Sequence, residues 1–299
     1  MEKKMEKLIA ICAVTVLFGT GYAMAGTWTT LDYPGAVATV VHGINGNNIV
    51  GWYSDGSRNI PRNNIHGFVY DGTSWVTLDM PGLSNTQIFD IDGSNIVGFS
   101  SSSPNPHSFL YSITNQILII LNEPGAVYGY GTVVQGISDN TLVGYYEDSS
   151  LLHHGFSYNG TAWATLDYPG AYWTDIHGIS GSNLVGWYMG ISENHGFIYE
   201  MTSQMWTLLP IQPRDVDGSN VVGGDYLYNL TTQILTTLDY PGANQTQLYG
   251  IDGISIVGSY TDASGDTHGF LYTIPEPATL LLLGFGAVVV RRKRKVLSP

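Results

Sequence analysis

The sequence predicts an all-β protein, a β-propeller of six four-stranded blades closed by its N-terminal strand. A helical signal peptide and a short C-terminal hydrophobic helix lie outside this domain. Three observations carry the prediction. Three short sequence blocks recur in fixed order along the body. Their spacing suits blades of about 40–45 residues. The first and last repeats are incomplete in complementary ways. Composition agrees: 37 of 299 residues are Gly and 20 are Tyr, while charged residues make up only 12%. Such a chain is rich in turns and can bury a sizeable core.

The first block is the octet Trp28–Gly35 (WTTLDYPG), which returns at Trp75–Gly82, Trp163–Gly170 and Leu235–Gly242. Ile119–Gly125 and Trp206–Pro210 are degenerate copies. The second block is an aliphatic-Val-Gly triplet whose glycine falls at 51, 98, 144, 186, 223 and 258. The steps between these glycines are 47, 46, 42, 37 and 35 residues. The third block is His-x-Phe-x-Tyr, at His66, His107, His154, His195 and His268. The fifth repeat is shortened and keeps only Tyr226-Leu-Tyr228. No segment has a 3.6-residue apolar period, so helical repeats fit poorly.

Each repeat divides into four strands, in the first Thr39–Ile44, Asn48–Ser54, His66–Tyr70 and Trp75–Asp79. Turn residues such as Asn45-Gly-Asn-Asn48 join the first two as a hairpin. Pro-Gly ends the fourth, because proline cannot donate to a ladder. The glycine of the Val-Gly block is expected near the propeller axis, where backbones approach closely. The body opens with a fourth strand, Trp28–Tyr33, and ends with a third strand at Tyr272. Pairing the two completes six blades and removes exposed sheet edges. A β-solenoid or irregular sandwich stack is the alternative architecture.

The formal net charge is −13. Lys3, Lys4, Lys7 and the run Arg291–Lys295 sit at the ends, leaving Arg58, Arg62 and Arg214 as the body's basic residues. Of 24 acids, all but Glu2, Glu6 and Glu276 lie in the body, so its charge is about −18. That balance excludes nucleic acid as a partner, because phosphate binding needs Lys and Arg.

Residues 1–25 read as a signal peptide for Sec export: a charged start, the apolar run Leu8–Phe18, and the small-residue site Ala23-Met24-Ala25. Cleavage by signal peptidase is expected after Ala25, with Gly26 as the new N-terminus. A retained N-terminal anchor is the competing reading. The one cysteine, Cys12, leaves with this peptide. The domain is expected over 26–274 without thiol, disulfide or Cys-ligated metal.

Pro275-Glu276-Pro277, the apolar stretch 278–290 and the basic cluster that opens with Arg291 and Arg292 follow in order at 275–299. This stretch resembles the PEP-CTERM sorting signal of Gram-negative bacteria. The resemblance implies export, processing by an exosortase-type enzyme, and display at the cell surface or in an exopolysaccharide-based biofilm matrix. Thirteen apolar residues are short for a stable span, so the membrane contact is expected to be transient; an ordinary anchor is the alternative. The body repeats resemble the extracellular HAF-repeat family, here with His-Gly-Phe or His-Ser-Phe for His-Ala-Phe. That resemblance concerns location and architecture and implies no activity.

Three sets of residues are candidates for chemistry. The repeated histidines could ligate a metal or titrate together; the expectation is that each satisfies a local turn or carbonyl. Asp90–Asn95 and Asp215–Asn220 look like calcium loops, but equivalent turns lack Asp, so no cofactor is expected and calcium is only a weak possibility. The aromatics Trp52, Tyr53, Tyr146, Trp187 and Tyr188 could stack on sugars or pack between blades. No nucleophile elbow, phosphate loop or His-Glu-x-x-His motif occurs. The expected function is non-catalytic interaction with exopolysaccharide or a surface protein. A glycan lyase or hydrolase on the same scaffold is the alternative.

Overall fold

Glycine and Asx turns flanking runs of β-branched and aromatic residues give short antiparallel strands wherever the chain is described. The computed structural model describes residues 26–56, 64–101, 106–127 and 131–275, and these contain strands and turns but no helix. The signal-peptide residues up to Ala25 and the sorting-signal residues from Glu276 onward, including 278–290, Arg291 and Arg292, lie outside the described residues. Among the described residues no helix is long and apolar enough to cross a membrane. Trp28–Tyr272 form one compact unit.

The strands fall into groups of four, each a simple antiparallel meander. The first unit is β2 (Ala38–Asn45), β3 (Asn48–Ser54), β4 (Ile65–Tyr70) and β5 (Trp75–Thr77). The second runs from Thr86 to Leu121, the third from Thr132 to Thr165 and the fourth from Trp173 to Leu209. The fifth, Asp215–Thr237, has strands of only three or four residues. The sixth comprises β22 (Gln245–Asp252), β23 (Ser255–Thr261) and β24 (Thr267–Thr273), and β1 (Thr27–Leu31) pairs with β24 as its fourth strand. A lone parallel bridge, Ala38 to Thr267, joins the sixth and first units into one eight-stranded sheet. The strands expected in the first repeat are found, with the fourth ending at Thr77 rather than Asp79.

The repeated blocks supply the packing. Phe68, Phe109, Phe156, Phe197 and Phe270 of the third strands are all fully buried. Burial of each contributes about 1.5–3 kcal/mol. Each lies opposite the Val-Gly glycine of its own second strand, as Phe156 opposite Gly144. A Cβ on Gly144 would stand 2.0 Å from the Val133 carbonyl oxygen of the first strand. The glycine therefore admits the first strand's bulge and the Phe ring, which corrects its expected place at the axis. The glycines where neighbouring units meet most closely belong to the first strands: a Cβ on Gly178 would meet Asp215 Cα at 2.7 Å, and one on Gly250 would meet His42 O at 2.4 Å.

Between units, the Tyr of the Asp-Tyr-Pro-Gly turn stacks on the Tyr after the next Val-Gly block. Tyr33–Tyr53, Tyr168–Tyr188 and Tyr240–Tyr260 have ring centroids 3.7, 3.8 and 3.7 Å apart and lie within 6° of parallel. At the turn end of the first strands a chain of hydrogen bonds runs from unit to unit. Gly93 N donates to Asn45 Oδ1 (3.1 Å), Asp139 N to Asp92 Oδ2 (2.5 Å) and Gly181 N to Ser138 Oγ (3.2 Å). Ser180 Oγ donates to Asp217 Oδ1 (3.4 Å), Gly253 N to Asp217 Oδ2 (2.8 Å) and Gly46 N to Asp252 Oδ2 (2.6 Å).

Candidate functional site

The repeated histidines are structural clamps. His66 Nδ1 lies 2.8 Å from Asp79, His154 Nδ1 2.8 Å from Asp167, and His268 Nδ1 3.0 Å from Asp32. Each partner is the Asp of the Leu-Asp-x-Pro-Gly block, so the clamp ties the third strand to the turn after the fourth. Of the two expected partners, a carbonyl or a turn, the structure has the turn, through its carboxylate. A second acid sits near each Nε2: Asp55 at 3.7 Å, Asp148 at 3.5 Å and Asp262 at 3.6 Å. Burial lowers the His154 pKa, but the hydrogen bond and charge of Asp167, aided by Asp148, outweigh it and leave it raised.

Three units lack the clamp: the fifth has no histidine at this position, and two keep the histidine without the Asp. In the second, continuing the register from Ser108–Leu121 places Asn122 opposite His107, whose buried Nδ1 has no hydrogen-bond partner among the described residues. In the fourth, Pro210 takes the Asp position opposite His195. Among the described residues no group of three His, Cys, Asp or Glu side chains is arranged to hold a metal ion. The Asp-Gly turns are hairpins whose carboxylates brace neighbours: Asp90 accepts from Ile91 N and Ile137 N, and Asp215 from Val216 N and Ile251 N.

Most of the candidate sugar-stacking aromatics have their faces covered. Tyr53 lies between Tyr33 and His66, and Tyr188 between Tyr168 and His195. Tyr146 is 8% exposed, stacks on His154 and contacts Thr165 Oγ1 through its hydroxyl. These three pack between strands and units and present no open face to a sugar. Trp52 donates its indole N–H to His42 Nε2 at 3.3 Å. Trp187 alone of the five lines a sizeable cavity.

That cavity, about 490 Å³, opens where the repeat breaks. In the fifth unit Gly223 is followed directly by Gly224, so the second and third strands join in a tight turn. Register places Gly224 where other units have the clamp histidine and Tyr226 where they have the buried Phe. Tyr226 is 36% exposed, against 0% for the five phenylalanines. The wall it vacates is lined by Trp187, His195, Gln212, Arg214, Tyr226 and Gln247. No Asp or Glu is among the described lining residues.

Arg214, just before the fifth unit's first strand, connects this cavity to a smaller one lined also by His42, Phe89, Gln135, His177 and Tyr249 of the other first strands, with Asp90 and Asp215. Five of these occupy a β-bulge, such as His42 between Val41 and Gly43, which turns the side chain into the shared space. Burial, with Arg214 adding, lowers the His42 pKa to about 3 and that of His177 well below its ordinary value, so both imidazoles are neutral. Beneath them burial raises the Asp90 carboxyl to about 7 and Asp215 well above its ordinary range, with Asp90 adding to the shift on Asp215.

Sequence reasoning missed Arg214 and the five bulged residues because their type changes from one repeat to the next. The one available signal was Arg214 itself, an isolated cation in a strongly acidic body.

The described residues define a repeat-built, all-β protein with an asymmetric cavity at its shortened unit. Residues 273–295 match the PEP-CTERM protein-sorting motif. The motif implies export, with membrane-associated sorting at the C-terminus and processing by an exosortase-type enzyme. No curated protein matches it in sequence. Solved structures are similar at low identity. TolB from Acinetobacter baumannii is 11% identical with a TM-score of 0.48, over 89% of this chain and 68% of that one. The β-propeller domain of the Trilobed protease from Pyrococcus furiosus is 7% identical with a TM-score of 0.47, over 81% and 97%. YCF48 bound to D1 peptide is 10% identical with a TM-score of 0.44, over 87% and 100%.

Proposed function

We propose that the chain is a six-bladed propeller of HAF-type repeats, closed by β1, that binds glycan at the cell surface or in the matrix without cleaving it. The unit-to-unit hydrogen bonds returning from Asp252 to Gly46, and the pairing of β1 with β24, support closure. The observation that carries the binding reading is the cavity at the shortened fifth unit. It pairs aromatic rings, Trp187 and Tyr226, with amide, imidazole and guanidinium donors, which is the chemistry sugars need on their faces and hydroxyls. Glycoside hydrolysis uses two carboxylates flanking the bond. The described lining residues supply none, which favours a binder over the hydrolase alternative.

The test is co-sedimentation of the full-length protein with the producing organism's exopolysaccharide, with polymer length followed in parallel. Saturable binding that falls at least tenfold in Trp187→Ala, with polymer length unchanged, is the expected result. Shortening of the polymer overturns the non-catalytic reading, and binding untouched by Trp187→Ala removes the cavity from it.

A further inference from the structure

The cavity holds a cation with no counter-ion. Arg214 is the only Lys or Arg among the described residues of Trp28–Tyr272. The body carries 21 acids, yet among the described residues none pairs with this guanidinium. The nearby carboxylates are engaged elsewhere. Asp215 accepts from Val216 N and Ile251 N. Asp175 feels the Arg214 charge, but its Oδ1 lies 2.9 Å from His153 Nδ1. Arg214 instead rests on His177: Nη1 is 3.3 Å from Nδ1 and 3.4 Å from Nε2. Near-equal distances to both ring nitrogens seat one end of the guanidinium, Nη1, on the imidazole, and among the described residues no acid takes up its other N–H groups. The platform is neutral and 7% exposed, so it orients the guanidinium without neutralising it. Trp187 continues the platform, its ring 6.5 Å from His177 and inclined by 25°.

A planar fork of donors without a carboxylate, beside an aromatic wall, is half of a bidentate pair. We propose that Arg214 binds the carboxylate of a uronic-acid sugar whose ring stacks on Trp187. This rests on the glycan-binding reading and names its ligand class. The surrounding charge refines the class further. A body near −18 repels a dense polyanion at long range, while one local cation rewards one carboxylate. The ligand is therefore an isolated or terminal uronate on an otherwise neutral glycan.

Calorimetric titration of the full-length protein with two probes tests this. One is a trisaccharide of neutral hexoses ending in a single uronate; the other is the same trisaccharide after carboxyl reduction. The wild-type protein should bind the acidic probe at least tenfold more tightly. Arg214→Gln should erase the difference by weakening the acidic probe alone, and Arg214→Lys should restore part of it. Near-ultraviolet circular dichroism checks that the variants are folded. Equal affinity for the two probes in the wild-type protein, or a preference that survives Arg214→Gln, overturns the uronate inference and leaves glycan binding standing. If the folded wild-type protein binds neither probe nor the whole exopolysaccharide, both readings fall.

Discussion

The third and fifth units are built from the same blocks and end in opposite conditions. In the third, Phe156 is fully buried against Gly144, His154 is clamped by Asp167, and the Tyr146 ring is covered. In the fifth, Tyr226 and Gly224 stand where the third unit has Phe156 and His154, and a cavity of about 490 Å³ takes up the space. Repetition here makes a wall; the departure from it makes a site. The residues that recur pack and tie the strands of their units, so the cavity opens where the pattern fails.

The contrast predicts a ranking. Phe156→Ala should destabilise the protein by about 3–5 kcal/mol, the range for a large buried ring. Tyr226→Ala should lose less than about 1.5 kcal/mol, because its ring is partly solvated already. Chemical denaturation of both variants checks the pair. Equal losses would mean that the fifth unit is as tightly packed as the third and that the cavity reading is wrong.

A pH-dependent effect comes next. His153 in the third unit stacks between Tyr145 and Trp173 and faces Asp175 and Glu147. Burial lowers its pKa, yet Asp175 and then Glu147 outweigh burial and raise it above 6.5, as Asp167 and Asp148 do for His154. The folded unit thus holds protons that the unfolded chain releases. This stabilisation is complete below the unfolded value of 6.5 and disappears as pH rises through the folded values. The melting-temperature gap between wild type and a His153→Gln/His154→Gln variant should be wider at pH 6 than at pH 8.5. A gap that stays flat, or widens with pH, would refute the clamp.

The smallest effect sharpens the comparison by repair. The continued register places Asn122 opposite His107, whose Nδ1 is buried without a partner among the described residues. Asn122→Asp should install the clamp of the third unit in the second and stabilise it by about 0.5–1.5 kcal/mol, with the gain larger at pH 6 than at pH 8.5. A neutral or destabilising substitution would show that the clamp depends on more than its two residues.

Much of this architecture was legible in the sequence because it rests on local, repeated chemistry. Strand positions follow from alternation and turn residues. The Phe-over-glycine packing is visible as co-occurring blocks, although the glycine's location was misread. Both the first-strand and second-strand glycines lie at close backbone approaches, and only pairing register tells them apart. The threonines that accept from the turn backbone, Thr39, Thr86, Thr132, Thr174 and Thr246, also repeat and could have been noticed. Tyr53, Tyr146 and Tyr188 could not be assigned from sequence, since stacking on sugar and stacking on a neighbouring tyrosine demand the same residue.

By itself the sequence determined the repeat, its strands, the acidic body and the sorting motif at 273–295, because each is written in contiguous residues. The tertiary structure decided which side chains share a space. His42, Phe89, Gln135, His177, Arg214 and Tyr249 are dozens of residues apart and follow no repeated type, and strand bulges and unit packing bring them to one cavity. No local rule encodes that meeting. It arises because bulged residues from several meanders line one cavity, and because the shortened meander leaves space beside Arg214.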